Sequence, residues 1–300
     1  MAEPSDAAEF GKGLPEHYRI DDGKAFTLAD MPTAERGDLD KATGKALIRA
    51  RRERLATLQE RLAAGRTRGV LVVLQGMDTS GKDSLIRHVM SGLNPQGTRV
   101  TSFKAPSAIE QEHDFLWRIH AAVPERGQIG IFNRSHYEDV LIARVHADKL
   151  SSEGLEGDPH RPEFWDDRLQ DIRHFERYLT RQGIIIVKFF LHISPDEQRQ
   201  RLLRRLSRPQ KRWKFDESDI AERAFWPAYA DAYEQAIRGT ARAEAPWFVV
   251  PSDHKWFSRL VVMEALIATL EAIGPEPPPP SDAVERHVEQ LSKRLRGDHV

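Results

Sequence analysis

The sequence predicts an α/β fold in which a parallel five-stranded sheet carries helices on both faces. Short apolar segments alternate along the chain with longer segments of helical periodicity, which is the pattern of repeated strand–helix units. The most apolar segment, residues 184–191, is hydrophobic at nearly every position. A central strand of a parallel sheet needs this composition because helices cover both of its faces.

Each element follows from its local pattern. In residues 41–64, five leucine and isoleucine residues recur at near-helical spacing among many charged residues, which predicts an amphipathic helix. Strands are predicted over residues 69–75, 99–103, 127–132, 184–191 and 248–250. Further helices are predicted over residues 108–123, 137–146, 161–181 and 255–273, with others after Gly81, from Ser194 onwards, before the last strand and near the C-terminus.

These elements suggest three parts. Residues 1–66 are expected to form an irregular arm followed by the amphipathic helix, and residues 67–273 the α/β domain. Residues 274–300 read as a proline-rich spacer and a polar helix. Residues 151–158, rich in Gly, Ser and acids, are predicted to be a loop within the α/β domain.

Composition excludes several classes of function. The 300 residues contain no cysteine, which rules out disulfides, thiol catalysis and cysteine-ligated metals. The formal net charge of −1 implies no global attraction to nucleic acid or to anionic membranes. No apolar stretch is long enough to span a bilayer, and the N-terminus does not resemble a secretory signal. We therefore expect a cytoplasmic protein without a membrane partner.

A phosphate-binding loop follows the first long strand. Gly76 is separated by four residues from Gly81, and Lys82 comes next, between an apolar strand and an amphipathic helix. In this P-loop pattern, backbone N–H groups and the helix N-terminus cradle a phosphate while the lysine reaches its oxygens. The motif makes the predicted fold P-loop NTPase-like.

Two carboxylates make this loop unusual. Asp83 follows the lysine where Ser or Thr would ordinarily bind Mg²⁺ through a hydroxyl, and Asp78 lies inside the loop. A carboxylate beside a bound phosphate is repulsive unless a cation lies between them, which favours a metal-bridged site. The alternative for Asp83 is simple stabilisation of a helix N-terminus.

Charged residues also follow the second and third strands. Lys104 comes after the second strand, and Arg134, Glu138 and Asp139 come after the third. Because ligands of open parallel sheets bind at the carboxyl ends of the strands, these side chains are candidates for phosphate and metal binding. The alternatives are a solvated Lys104, a local Arg134–acid pair, and acids that stabilise a helix start. His136 is expected to be structural.

A basic run without acids extends from Arg199 to Lys214, with a break at residues 207–209. We interpret residues 199–216 as a basic helical lid that neutralises charge and excludes water during phosphoryl transfer. The alternatives are a solvated basic face and a nucleic-acid-binding patch. Nearby aromatics (Phe225, Trp226, Tyr229, Tyr233 and, earlier in the chain, Trp117) are predicted to be packing residues, whereas Arg118 is expected to face the site.

These motifs together resemble those of the polyphosphate kinase 2 family. The similarity spans about residues 40–270 and is carried by residues 76–83, 102–107, 132–139 and 207–215. An aspartate after the P-loop lysine is a feature of this family. The resemblance implies a thymidylate-kinase-like P-loop fold and Mg²⁺-dependent (or Mn²⁺-dependent) transfer of a phosphoryl group between inorganic polyphosphate and adenine nucleotides. It also implies a homo-oligomer.

The resemblance assigns roles by position. Asp78 and Asp139 would hold the metal, and Lys82 and Arg134 would bind the transferred group, so these four residues form the expected catalytic set. The remaining phosphate and substrate contacts would come from the loop, the strand exits and the lid: Gly76, Thr79, Ser80, Gly81, Asp83, Lys104, Arg118, Asn133, Tyr137, Glu138, Arg204, Arg208, Lys211 and Arg212.

Two positions bear on the acceptor. Family members that phosphorylate only nucleoside diphosphates commonly have Asp at the position of Asn133 and Asn at that of Glu138. This chain has Asn133 and Glu138, which resembles the subgroup that accepts both AMP and ADP. A carboxylate at position 138 would contact metal or water where the shorter acceptor leaves space.

Three other functions remain open from sequence. An ATP-dependent nucleoside monophosphate kinase shares the fold and lid, but it usually has Ser or Thr at position 83. A nucleic-acid-binding P-loop protein would use the basic run on phosphate backbones. A nucleotide-regulated switch is disfavoured because the chain lacks an Asn-Lys-x-Asp guanine-reading segment.

Overall fold

The structure, a computed structural model, describes residues 13–150 and 157–297 and contains one mixed sheet. Its strands are β1 (Arg19–Ile20), β2 (Gly69–Gly76), β3 (Thr98–Ser102), β4 (Ile129–Asn133), β5 (Ile184–His192) and β6 (Trp247–Pro251). The strand order is β1-β6-β5-β2-β4-β3, and only the β1–β6 pair is antiparallel among the described strands. The predicted α/β class and its five parallel strands are confirmed. The two-residue β1 was not predicted because it is too short to show a periodicity.

Helices and short 3₁₀ turns connect the strands. The α-helices are α1 (Lys41–Gly65), α2 (Lys82–Val89), α3 (Ala108–Gln111), α4 (Trp117–His120), α5 (Ile142–Val145), α6 (Pro162–Arg181), α7 (Pro195–Leu206), α8 (Ser218–Glu222), α9 (Trp226–Thr240), α10 (Lys255–Ile273) and α11 (Asp282–Leu295). The 3₁₀ turns that concern the site are His136–Val140, between β4 and α5, and Pro209–Lys214, between α7 and α8.

Two predicted helices are shorter than expected. The predicted helix over residues 108–123 is divided into α3 and α4, and the Asp114 carboxylate between them accepts a hydrogen bond from the Leu116 backbone N–H. Residues 137–146 form a 3₁₀ turn and α5, because the backbone of Leu141 leaves helical geometry between them. Most of the predicted loop at 151–158 lies outside the described residues.

The sheet separates two hydrophobic cores. Helices α1, α2 and α10 cover one face, and Leu55, Leu62 and Phe257 are among the side chains buried there. Helices α6 and α9 cover the other face, where Ile172 and Ile237 are buried. Each such side chain contributes about 1.5–3 kcal/mol on burial, so the helices are held mainly by their apolar faces.

The described part of the N-terminal arm is anchored to the α/β domain. Phe26 and Leu28 are buried in the core beside α6 and α9, and the Leu28 N–H donates to the Glu234 carboxylate. At the other end, α11 buries none of its residues. The three-part division of the chain stays a prediction.

Within the described residues, no helix is both long and apolar enough to cross a membrane.

A buried polar network fixes the turn that follows β4. Lys188 of β5 donates from Nζ to the Glu176 carboxylate (2.5 Å) and to the Thr240 carbonyl oxygen (2.9 Å). The Tyr137 hydroxyl donates to the same carboxylate (2.8 Å), and His136 lies 3.4 Å from it. The network joins β5, α6 and α9 to the 3₁₀ turn His136–Val140. His136 is therefore structural, as expected.

We predict that Lys188→Met destabilises the protein by about 3–5 kcal/mol, because it leaves the Glu176 carboxylate buried without its cationic partner. Urea unfolding followed by circular dichroism measures the change in the free energy of unfolding. Arg177→Met, at an exposed position of α6, is the control and should change stability by less than about 0.5 kcal/mol. A loss below about 1 kcal/mol for Lys188→Met would show that the network does not hold this turn.

Candidate active site

A cleft opens at the carboxyl ends of β2 and β4, and its open space amounts to ≈ 560 Å³ including the part continuous with solvent. Its lining combines the P-loop, the turn after β4, and the helices that cover them. The lining residues are Gly76, Met77, Asp78, Lys82, Arg134, Glu138, Leu141, Ile142, Gln198, Asp219, Glu222, Trp226, Tyr229 and Tyr233. This is the edge of the sheet at which ligands of open α/β folds bind.

The P-loop is tightly curled. Gly81 has a φ of +114°, and Thr79, although not a glycine, has a φ of +63°. At Gly76 an added Cβ would lie 2.6 Å from the Ser80 Oγ and 3.0 Å from the Leu191 carbonyl oxygen, so a side chain there would crowd the loop. The buried hydroxyls of Thr79 and Ser80 have no hydrogen-bond partner among the described residues. Unsatisfied donors in a strained loop suit a bound anion such as phosphate.

Lys82 reaches back across the mouth of this loop. Its Nζ donates to the Gly76 carbonyl oxygen at 2.5 Å and lies 3.4 Å from that of Met77. Burial lowers the pKa of Lys82, and the nearby Asp78 carboxylate opposes that effect. A bound phosphate would add further negative charge and favour the charged ammonium.

The P-loop backbone is braced from α7. The Arg201 guanidinium is buried and donates to the carbonyl oxygens of Thr79 (2.9 Å) and Ser80 (2.5 Å). It also donates to the Ser252 carbonyl oxygen, just beyond β6. Gln198, one turn earlier, donates to the Asp78 carbonyl oxygen at 3.1 Å. In the sequence, Arg201 is only one member of the basic run from Arg199 to Lys214. The carboxylate of Glu197, at i−4 on the same helical face, was the available signal that this arginine is engaged.

Arg134 connects the two acids of the cleft. It adopts a left-handed backbone (φ +64°), and its N–H donates to the Leu74 carbonyl oxygen. Its guanidinium lies 3.4 Å from the Asp78 carboxylate and 3.8 Å from that of Glu138. Burial opposes the charge on Arg134, but these carboxylates outweigh it and raise its pKa. A guanidinium held between two acids is well placed to bind phosphate oxygens.

Glu138 is the second carboxylate of the cleft. Burial raises its pKa, while Arg134 and Lys82 act in the opposite direction. Among the described residues, no group of three or more His, Asp or Glu side chains is arranged to hold a metal by itself. Mg²⁺ is ordinarily bound through one or two carboxylates together with substrate phosphates, and the Asp78–Glu138 pair fits that arrangement.

Asp139 lies beside Arg118, next to the cleft. Its carboxylate lies 3.8 Å from the Arg118 guanidinium, and it is not among the described residues that line the cleft. Arg118 is buried and donates to the Lys104 carbonyl oxygen at 2.9 Å. The Lys104 side chain itself is exposed. These three residues therefore form a group next to the cleft, between α4 and the exits of β3 and β4.

Asn133, Asp83 and Tyr137 also lie outside the cleft lining. The Asn133 amide donates to the Asp83 carboxylate at 2.9 Å and lies 3.4 Å from the Ser102 Oγ. Tyr137, predicted to contact substrate, is completely buried, and its hydroxyl is bonded within the Lys188 network. It contributes to the site by positioning the turn that carries Glu138, since its ring has no exposed face.

The basic segment contains the predicted bases, but several of them are already engaged. Arg204 pairs with the Glu197 carboxylate at 2.7 Å, and Arg212 donates from Nε to the Leu206 carbonyl oxygen. Arg208 is exposed, and the side chain of Lys211 lies outside the described part of the structure. None of the described residues of this segment lines the cleft, whereas two acids of the following helix α8, Asp219 and Glu222, do.

Aromatic side chains from α9 form one wall of the cleft. Trp226, Tyr229 and Tyr233 all line the cleft, and the Tyr233 ring packs on Phe190 at 4.2 Å between centroids. The predicted packing role is right for the buried Tyr233 but incomplete, because the same helical face also bounds the cleft. Trp117 is 42% exposed and stacks on His113.

Known proteins resemble this chain over most of its length. A family model described as polyphosphate kinase 2 matches residues 38–277. The chain is 44% identical over 282 residues to the ADP-polyphosphate phosphotransferase of Rhodopseudomonas palustris, covering 93% of this chain and 98% of that protein. It is 43% identical over 273 residues to the AMP/ADP-polyphosphate phosphotransferase of Meiothermus ruber, covering 90% and 98% respectively.

A solved structure shows the same relationship. The crystal structure of polyphosphate kinase 2 from Arthrobacter aurescens TC1 matches with a TM-score of 0.83 at 41% sequence identity, over 93% of this chain and 96% of that one. The family model covers most of the chain, the sequence similarity extends over nearly the whole length of both relatives, and the fold agrees. The chain belongs to the polyphosphate kinase 2 family.

Proposed function

We propose that this protein transfers a phosphoryl group between inorganic polyphosphate and adenine nucleotides, converting AMP to ADP and ADP to ATP. The observation that carries the proposal is the convergence of the P-loop, Lys82 and Arg134 with two carboxylates in one cleft. The names of the two relatives supply the substrate class. Asp83 stands where an ordinary P-loop has Ser or Thr, and this replacement is consistent with a donor other than ATP.

The chemistry that we propose is positioning and charge neutralisation. An oxygen of the acceptor phosphate attacks the terminal phosphorus of polyphosphate, the new P–O bond forms, and the bridging P–O bond to the shortened chain breaks. Because the attacking group is already an anionic oxygen, no strong general base is required. The P-loop N–H groups and Lys82 hold the donor, and Arg134 stabilises the transferred group.

A divalent cation completes the proposed site. Mg²⁺ or Mn²⁺, when bound, supplies the positive charge that lets phosphates lie beside carboxylates. Asp78 is the proposed ligand from the P-loop. Glu138 shares its cleft and is the better placed second carboxylate, whereas the metal-binding role of Asp139 stays a prediction.

The acceptor is proposed to lie between the P-loop and the α9 wall. The rings of Trp226 and Tyr229 offer an apolar surface for a nucleobase in the same cleft as the phosphate-binding residues. We propose acceptance of both AMP and ADP, since Asn133 and Glu138 resemble the subgroup with that range and one relative is named for both acceptors. Homo-oligomerisation and the predicted lid function of residues 199–216 also belong to this proposal.

We predict that the purified protein forms ATP from ADP, Mg²⁺ and polyphosphate in the absence of added ATP. Lys82→Ala and Asp78→Asn should each lower this rate by at least about 100-fold, because each removes a charge that contacts the reacting phosphates or their metal. Coupled luminescence measures ATP formation, and circular dichroism checks folding. Asp196→Asn, an exposed carboxylate outside the cleft lining, should retain wild-type rates. No ATP from the wild type would reject the proposed reaction and favour an ATP-dependent kinase.

The second metal ligand can be identified by comparing Glu138→Gln with Asp139→Asn. If Glu138 completes the site with Asp78, Glu138→Gln should raise the Mg²⁺ concentration for half-maximal rate by roughly 10-fold, and Asp139→Asn should leave it within about 2-fold. Titration of the initial rate with Mg²⁺ measures both. The reverse order would support Asp139 as the ligand instead.

Glu138→Asn tests the range of acceptors. We expect kcat/KM for AMP to fall at least about 10-fold more than that for ADP, because the shorter acceptor depends more on a carboxylate that organises metal or water in the vacated space. Initial rates with each nucleotide at saturating polyphosphate give the ratio. An equal loss with both acceptors would contradict the subgroup assignment.

A further inference from the structure

A second, basic groove lies on the other side of the P-loop helix from the cleft. It runs between α1 and the start of α10, and α2 forms its floor. Six of its lining side chains are basic: Lys41, Lys45, Arg49, Arg52, His88 and Arg259. Its described lining contains no acidic residue, which is unusual for a protein with a net charge of −1.

The cations of this groove lack anionic partners. Within the described residues, Lys41, Lys45, Arg49, Arg52 and Arg259 form no ion pair. The neighbouring arginines of α1 that point elsewhere do, as Arg51 pairs with Glu264 and Arg54 with Glu271. The same helix therefore neutralises one of its basic faces and leaves the other uncompensated.

Two of the donors are also buried. The Nε atoms of Arg52 and Arg259 are inaccessible to solvent and have no hydrogen-bond partner in the described structure. Arg52 is held in this position because its side chain packs over Gly92, where an added Cβ would lie 2.9 Å from Arg52 Cδ. A buried guanidinium donor without an acceptor is costly, and these two add to the uncompensated positive charge beside the groove.

The bases form a row rather than a single pocket. Lys41, Lys45, Arg49 and Arg52 are spaced by four, four and three residues, which places them along one face of α1. At about 1.5 Å per residue the row is roughly 16 Å long. That shape suits an extended chain of anions better than one isolated phosphate.

The row continues to the P-loop. Arg259 donates from Nη2 to the Ser84 Oγ at 2.8 Å, on the first turn of the P-loop helix. One turn earlier on α10, the Lys255 Cε lies 3.9 Å from the position of a Cβ on Gly81. Burial, followed by the neighbouring Arg201, Arg204 and Arg259, lowers the pKa of Lys255 to about 8. A further anion nearby would relieve this crowding of positive charge.

Helix α7, which also carries many basic residues, is less suitable as a path for a phosphate chain. In α7, Arg201 braces the P-loop backbone, and Arg204 pairs with Glu197. Arg205 pairs with Asp219 at 3.0 Å. These guanidinium groups are already paired with carboxylates or backbone carbonyl oxygens, whereas those of the groove have no carboxylate partner among the described residues.

We propose that the groove between α1, α2 and α10 binds the distal phosphates of a long polyphosphate chain whose reacting end lies in the P-loop. The proposal rests on the proposed function, and it assigns the groove to the donor rather than to the nucleotide. The chain leaves the P-loop past Lys255 and Arg259 and follows the row on α1. Long chains gain contacts that tripolyphosphate is too short to reach.

The lining favours a bare phosphate chain over a nucleic acid. Single-stranded nucleic acids are ordinarily bound by a basic track together with exposed aromatic rings on which bases stack. Trp256 lines this groove, but its side chain is only 7% exposed and packs within the core. The groove thus offers charge without a stacking surface.

The test is the double variant Lys45→Gln/Arg49→Gln, which removes two exposed charges of the row without touching the P-loop. We expect KM for long-chain polyphosphate to rise about 5- to 10-fold, with weaker salt dependence, while kcat and KM for tripolyphosphate stay unchanged. The matched control is Arg177→Gln/Arg181→Gln, two exposed arginines of α6 on the opposite face of the sheet, which should change neither constant.

Equilibrium binding of fluorescently labelled long-chain polyphosphate is measured in parallel. This measurement tests polyphosphate binding by the groove even if the wild type proves inactive. Weaker binding by the groove variant, but not by the α6 variant, supports the groove independently of catalysis. Unchanged binding and unchanged KM for long chains would overturn it. An equal rise in KM for long chains and tripolyphosphate would also overturn it. If the groove variant lost RNA binding but retained polyphosphate binding, the groove would be a nucleic-acid site and the proposal would be overturned as well.

Discussion

One buried guanidinium determines whether the phosphate-binding loop keeps its shape. Arg201 reaches from α7 to carbonyl oxygens of the P-loop and of the segment after β6, so it joins two strand exits that are separated by more than a hundred residues in sequence. A loop whose N–H groups must face a ligand has carbonyl oxygens that need donors on its other side. Arg201 supplies these donors, and Glu197 balances its charge.

The charged side chains of the cleft contact one another in positions that suit a bound phosphate and cation. Arg134 lies between Asp78 and Glu138, and Lys82 folds onto the loop that would hold phosphate. Each charged group lies near one of opposite charge, which lowers the free-energy cost of placing several charges in one cleft. Phosphate and a divalent cation would replace these contacts with shorter, charge-assisted ones at little cost in reorganisation.

The two faces of the sheet serve the two substrates differently in this interpretation. Aromatic rings of α9 rise from the α6–α9 side and suit a nucleobase, whereas the α1–α10 side presents unpaired cations and suits a chain of phosphates. The P-loop helix lies between them. The two substrate approaches that we propose therefore reach one loop from opposite faces of the sheet.

The local pattern of the chain already determined the five parallel strands, the P-loop and the bounds of the long helices α1, α6 and α10, because apolar periodicity, glycine spacing and capping residues act over a few neighbours. It also placed Asp78, Lys82, Arg134 and Glu138 near one another, since parallel strands end at a common edge. Only the tertiary structure decided which charges are free. Arg201 and Arg49 look alike in sequence, yet one is buried against carbonyl oxygens and the other is exposed on a groove. Tyr137 and Glu138 are adjacent, yet one is enclosed by Lys188 and Glu176 while the other faces the cleft. Partners that distant segments supply set these differences, and no local pattern encodes them.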